Sequence, residues 1–236
     1  MNNSEKGDFY FGISDNKIYI CFFEKGKQKY SNIIEFEIPD NLMNNLNFKA
    51  IQNLLKENIR KLEKRLGFFL IDGNISIQSK SYQSILFSIK NVFDEKVLDK
   101  NIVINLVQSM IQQFDNNEKN LSITHIIINK YVIDDRVYSY LPNEIRFKKI
   151  VLEIEFICLD KELINKVKRL FNECKININK IVSYDYAKRF LISDRDDTMC
   201  ISANKILNGE NQSEVFLTEA LPKKTSFFNK IFGLFD

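Results

Sequence analysis

Between Ile150 and Cys158 the chain reads Ile-Val-Leu-Glu-Ile-Glu-Phe-Ile-Cys, with Ile150, Leu152, Ile154, Phe156 and Cys158 on one side and Glu153 and Glu155 on the other. A period of two with carboxylates on one face only fits a strand that lies on a core and faces water. Upstream, residues 123–132 are β-rich (Ile-Thr-His-Ile-Ile-Ile-Asn-Lys-Tyr-Val). Downstream the period changes: Leu163, Ile164, Val167, Leu170, Phe171 and Cys174 recur at helical spacing from Asp160, and Ile178 to Val182 is again β-like. The stretch from Leu121 to Ala187 therefore reads strand, strand, helix, strand, and the chain is an α+β protein.

The segments before it fit that class. Phe9–Ile13 and Ile18–Phe23 are strands joined through Ser14-Asp15-Asn16-Lys17, and a third strand lies near Ile33–Ile38. Phe48 to Leu66 is a helix with Ile51, Leu54, Leu55, Ile59, Leu62 and Leu66 on one side, and Gly67 stands where helices end. Ile75–Ile77 and Ile85–Val92 read as strands about a polar Ser-Lys-Ser-Tyr-Gln loop. Asp99 is placed to cap a helix that turns Ile102, Val103, Leu106, Val107, Met110, Ile111 and Phe114 inward. After Ala187 the pattern weakens, and residues 198–222 read as a linker.

Charge and composition exclude several function classes. Thirty-four basic and 31 acidic side chains leave a net charge of +3 with no basic field, so nucleic acid is not an expected partner. The start of the chain lacks the apolar stretch of a signal peptide, and no run of about 18 apolar residues would span a bilayer. Cys21, Cys158, Cys174 and Cys200 share no CxxC spacing and read as buried thiols. His125, the single histidine, reads as a satisfied core or sheet residue. Asp194, Asp196 and Asp197 lack the glycine and distal glutamate of an EF-hand and read as a solvated loop. Glu153 and Glu155 read as an exposed strand face, and Lys161, Lys166, Lys168 and Arg169 as a basic outer helix side. No catalytic, cofactor-binding or metal-binding residues are assigned, and no cofactor is expected.

The end of the chain has its own character. At about 100° per residue, Phe227, Phe228, Ile231, Phe232, Leu234 and Phe235 share one side of a helix, with Lys230 on the other and Lys223 and Lys224 ahead of it. Residues 223–236 thus have the composition of an interfacial amphipathic helix, with aromatics for the acyl boundary and lysines for anionic lipid. Burying six such side chains at ~1.5–3 kcal/mol each amounts to about 10 kcal/mol before the cost of ordering. A helix docked on the protein's own core is the competing reading.

The order three-strand sheet, helix, inserted strand–helix–strand–strand unit, helix, strand resembles the first half of the bacterial cell-division protein FtsA, an actin-like family. Tyr131-Val132-Ile133-Asp134 is similar to the family's tyrosine–apolar–apolar–aspartate segment, and Pro142 follows where the family places a proline. Leu152 to Ile157 is similar to its Leu-Glu-apolar-x-apolar-His strand, and Val167, Cys174, Ile176, Ile181, Val182 and Ala187 fall on its helix–strand–alanine pattern. Three departures stand out: Glu144-Ile145 for Gly-Met, Ile157 for the histidine, and Lys175 for the helix-ending glycine.

The resemblance implies a partial actin-like (ribonuclease H-like) lobe over 1–72 and 178–197, an inserted subdomain over 73–177, the linker, and the C-terminal helix. It also implies a peripheral protein on the cytoplasmic side of the cell membrane at the division septum. Its partners would be anionic lipid, other cell-division proteins and further copies of itself. Direct FtsZ binding is not expected, because the family's docking site for the FtsZ tail lies in the second lobe, which has no counterpart here. The nucleotide site reads as dismantled. Actin-like folds use Asp-x-Gly-Ser/Thr between the first two strands, where glycine admits backbone N–H groups to phosphate; this chain offers Gly12-Ile13-Ser14-Asp15. No Asp-x-Gly-Gly or GxxxxGK stretch is present. The expectation is a non-enzymatic adaptor. The alternatives are an actin-like ATPase completed by a second chain, and a membrane adaptor of a pilus or secretion machine.

Overall fold

A computed structural model describes residues 7–25, 30–38, 48–191 and 199–215, which divide into two units, 1–82 with 159–210 and 83–158 with 211–236. The first unit is built on β1 (Gly7–Ile13), β2 (Lys17–Glu24), β3 (Tyr30–Glu37), β4 (Asp72–Ile77) and β9 (Asn177–Ser183). Their order is β3-β2-β1-β4-β9. β1, β2 and β3 pair antiparallel, and β4 runs parallel to both β1 and β9. A mixed sheet of this order and sense, with helices in the parallel crossovers, is the actin-like, ribonuclease H-like lobe.

Strand alternation decides what covers each face. Phe9, Phe11 and Ile13 pack against Ile51, Leu55, Ile59 and Leu62 of α1 (Phe48–Leu66) and Leu163, Val167, Leu170 and Phe171 of α3 (Lys161–Glu173). Tyr10 and Gly12 face the other way and meet α5 (Met199–Leu207), where Asn204 Nδ2 donates to Tyr10 Oη at 3.0 Å and Met199 lies over Gly12. Strands with parallel neighbours need both faces covered, and α5 supplies the second cover.

The second unit is a sheet of order β10-β6-β8-β5, from β10 (Glu214–Val215), β6 (Leu121–Ile133), β8 (Arg146–Asp160) and β5 (Gln83–Val97), with the short β7 (Arg136–Tyr138) hairpinned onto β6. One face carries α2 (Lys100–Asn117), capped by Asp99, whose carboxylate accepts from Ile102 N at 2.9 Å. Val103, Leu106, Val107, Met110 and Phe114 of α2 close on Ile126, Ile128, Leu152, Ile154 and Phe156. The rings of Phe87 and Phe114 meet that of Phe156 at 5.1 and 5.6 Å, spacings typical of favourable aromatic pairs.

Several expectations are corrected. The inserted unit spans 83–158 rather than 73–177, since β4 lies between β1 and β9 and α3 packs into the first core. The stretch from Leu121 to Ala187 is therefore shared between the units, which divide at Cys158 and Leu159 inside β8. Residues 199–207 of the expected linker form α5, with Met199, Cys200, Ala203 and Ile206 buried. The segments at 192–198 and 216–236, with the charged loop and the amphipathic helix 223–236, lie outside the described residues.

Candidate functional site

The strand order brings the β1–β2 turn, the loop after β4 and the start of α3 to one end of the first sheet. This is the crevice beyond the carboxyl ends of parallel strands where open α/β sheets hold ligands. A cleft of about 220 Å³ lies there, lined chiefly by Ser14, Asp15, Gln78, Ser79, Lys80 and Asp160. Small-molecule sites are usually ~300–1,000 Å³, so the cleft is small for a nucleotide.

Its polar groups are engaged with one another. Ser14 N donates to Lys17 O at 3.0 Å, and Lys17 N donates to Ser14 Oγ at 3.2 Å, closing the turn on itself. Gln78 N donates to Ile13 O at 2.9 Å and ties the loop after β4 to the turn. Lys80 Nζ lies 2.9 Å from Asp15 Oδ2, and that hydrogen bond raises the Lys80 pKa above its ordinary value. Asp160 is the N-cap of α3, accepting from Leu163 N at 2.9 Å. Beside the cleft, Asp185 of the short α4 (Tyr184–Ala187) accepts from Ser79 N at 3.2 Å and pairs with Lys188 at 2.8 Å. Each of these three carboxylates thus has a partner in the chain itself, and among the described residues no group of three His, Cys, Asp or Glu is placed to hold a metal ion.

Gly12 also has a different duty from that of a phosphate-turn glycine. A Cβ there would lie 2.8 Å from Met199 Cβ and 3.2 Å from Tyr19 Cδ2. Its missing side chain makes room for α5. The sequence reading missed Lys80, Ser79 and Asp185 because the topology assembles them from segments far apart in the chain. The one local signal was a polar loop following a buried strand.

The remaining candidates have structural surroundings. His125 Nδ1 lies 2.6 Å from Glu214 Oε1, with each side chain 1% exposed. That pair joins β6 to β10, immediately before the segment that carries the tail. Glu153 pairs with Lys130 at 2.9 Å, and Glu155 accepts from Ser84 Oγ at 2.5 Å. On the basic side of α3, Lys166 is mostly buried and pairs with Glu162 at 2.8 Å, while Arg169 stacks 4.0 Å over the ring of Phe48. Lys166 therefore does not belong to an outward basic surface, whereas Arg169 remains exposed on it. Burial pushes the Cys158 thiol up to about 12 and that of Cys174 up to about 11, far from nucleophilic range.

Lys223, Lys224, Phe227, Phe228, Lys230, Ile231, Phe232, Leu234 and Phe235 lie outside the described residues, so the structure does not place the candidate membrane face. Among the described residues no helix is long and apolar enough to cross a membrane.

Glu144 takes φ 55° and Lys175 takes φ 62°, the left-handed region that favours glycine.

No protein-family model matches the chain, and no curated protein matches its sequence. Among solved structures it is similar to a chain of a PilM-PilN type IV pilus biogenesis complex, at 10% identity and a TM-score of 0.47 over 78% of this chain and 49% of that one. It is also similar to the cytoplasmic domain of EpsL, an inner-membrane component of the type II secretion system of Vibrio cholerae, at 6% identity and 0.35, over 76% and 59%. A Bacteroides thetaiotaomicron protein with an actin-like ATPase fold aligns at 12% identity and 0.32, over 80% and 56%. The chain spans between 49% and 59% of these neighbours' lengths. The fold assignment rests on the strand order described above.

Proposed function

We propose that this chain is a non-catalytic, actin-like adaptor of bacterial cell division, similar to FtsA. It works through protein contacts at the inner face of the cytoplasmic membrane, where residues 223–236 hold it. The observation that carries the non-catalytic part is the state of the cleft: Asp15 is paired with Lys80 at its exposed rim and Asp160 is spent on capping α3. Phosphate chemistry needs free carboxylates for a metal and open backbone N–H groups, whereas here the β1–β2 turn closes on its own Ser14 and Lys17. The left-handed Glu144 and Lys175 support the FtsA-like reading, because a backbone that keeps such a conformation without glycine follows the geometry of a glycine-bearing pattern.

The membrane part rests on the composition of the tail and is tested by co-sedimentation with anionic vesicles. The intact chain pellets and a chain ending at Leu221 stays in the supernatant. Equal pelleting of the two refutes tethering by the tail. A tagged copy concentrated at the septum of dividing cells is the expected localisation. Placement at a pilus or secretion machine instead would replace the division role and leave the adaptor reading standing.

A further inference from the structure

Charge is unevenly spread over α1. Its apolar stripe of Ile51, Leu55, Ile59 and Leu62 is buried, and the charged residues of its exposed face are Lys49, Arg60, Lys61, Lys64 and Arg65 against Glu57 alone. Five cations and one carboxylate leave an excess of four, more than the +3 of the whole chain, so the rest of the protein is on balance slightly acidic. Lys64 and Arg65 lie in the last turn and complement the negative end of the helix dipole. That effect fades beyond one turn and does not account for Lys49, Arg60 or Lys61. Three of the cations gather on one side. An open groove of about 540 Å³ lies between α1 and β3, the outer strand of its sheet among the described residues, and is lined by Ile34, Glu35, Asn58, Lys61, Lys64 and Arg65. Glu35, the one acid in the lining, pairs with Lys17 at 2.6 Å, and Lys61 pairs with Glu57 at 2.7 Å. Among the described residues no carboxylate pairs with Lys64 or Arg65. Ile34 adds a half-buried apolar side chain that packs on the core.

We infer that this groove receives an acidic, extended segment of a partner protein, whose carboxylates meet Lys64 and Arg65 and which sets an apolar residue against Ile34. Charge complementarity selects that occupant: two cations without partners face a concave lining whose single acid is already paired. A bilayer fits less well. A helix that lies in a membrane interface turns an apolar side outward, whereas the apolar stripe of α1 is buried in the lobe. A small anion fits less well too, because small-molecule sites bury most of the ligand's surface and this open groove carries its three cations on one wall. The inference rests on the protein-contact reading and deepens it by giving the surface and the chemistry of the partner; it does not involve the tail.

Fluorescence anisotropy of the full chain with a short labelled peptide, in which aspartate and glutamate alternate with leucine, tests it. The wild type binds this peptide saturably in the micromolar range and does not bind its counterpart with asparagine and glutamine in place of the acids. Lys64→Glu with Arg65→Glu weakens binding at least about tenfold, because like charges then face each other. The circular dichroism of this variant is unchanged, since both side chains are exposed. Lys64→Gln with Arg65→Gln, which puts no acid at the helix end, weakens binding as well and separates lost contact from lost folding. Lys49→Glu lies ~22 Å away along α1, beyond the ~8 Å Debye length at physiological salt, and changes binding by less than about twofold. A wild type without saturable binding overturns the inference, and so does binding that the neutral peptide shares or that Lys64→Glu with Arg65→Glu leaves intact. A charge-reversed chain that keeps the peptide and loses anionic vesicles assigns the surface to lipid and overturns it too. Peptide and vesicle binding are read separately, so failure here is distinguishable from failure of the membrane-held adaptor.

Discussion

Gly12→Ala reports directly on whether α5 belongs to the lobe. At an ordinary strand position with negative φ, replacing glycine by alanine restricts the unfolded chain and stabilises by ~0.4–1 kcal/mol. Here the new Cβ would lie 2.8 Å from Met199 Cβ, an atom bonded directly to the helix backbone, and 3.2 Å from Tyr19 Cδ2. Carbon atoms in contact prefer about 3.5–4.0 Å, so α5 must shift outward by several tenths of an ångström. Met199, Cys200 and Ala203 are buried, and that movement would loosen all three. Overpacking of this kind costs ~1–3 kcal/mol, which outweighs the entropic gain and leaves a net loss of about 1–2 kcal/mol. Urea unfolding followed by circular dichroism reads this as a lower midpoint at unchanged slope. Removing the opposing Cβ with Met199→Gly should make the second substitution far less costly, with a coupling of about 1 kcal/mol in a double-mutant cycle. A neutral or stabilised Gly12→Ala, with no coupling to position 199, would show that α5 does not pack on β1.

Other outcomes follow from single contacts. Glu214→Ala and His125→Ala each break the buried 2.6 Å hydrogen bond between these side chains and should destabilise the inserted unit by about 1–3 kcal/mol in urea unfolding. Replacing both by apolar residues of similar volume should cost much less. Tyr10, pushed up to about 12 chiefly by burial, is neutral in the folded state at a pH where the unfolded chain, with its phenol near the ordinary value of 10.0, ionises. Its contribution is therefore complete below pH 10 and is lost as pH rises toward 12. A shift of two units corresponds to about 2–3 kcal/mol, and Tyr10→Phe should flatten that alkaline decline. Lys175→Gly relieves a left-handed residue and should stabilise by ~1 kcal/mol; Glu144→Gly should do the same, and a loss at both sites would refute the strain argument.

Where residues near in sequence also make the structure, the reading and the structure agree. The helix from Phe48 to Leu66 is seen with the same limits, and Gly67 ends it at φ 74°. The alternation from Ile150 to Cys158 puts its apolar residues in one core, and Asp99 and Asp160 cap their helices. What escaped the sequence depends on distant partners. Met-Cys-Ile-Ser-Ala-Asn-Lys-Ile-Leu is nine residues long, shorter than the windows in which periodicity becomes decisive. Its small Ser202 and Ala203 are buried, yet the segment follows an acid-rich stretch that reads as solvated. The boundary at Cys158 was equally silent, because the division there falls inside a continuous strand with no proline, glycine or polar linker to mark it, whereas the one at Tyr82 lies in the polar loop after β4. The cleft's partnerships span Asp15 to Lys80 and Ser79 to Asp185, separations that only the parallel β1–β4–β9 order brings together.

In the proposed function an actin-like lobe has given its ligand crevice over to internal contacts and works by binding other molecules. Titrating the full chain with a fluorescent ATP analogue and magnesium addresses it most directly. No saturable signal is expected until nucleotide approaches ~1 mM, the scale of an affinity worth only about 4 kcal/mol. Saturable micromolar binding, abolished by Asp15→Asn, would contradict it and return this protein to the nucleotide-dependent actin-like proteins.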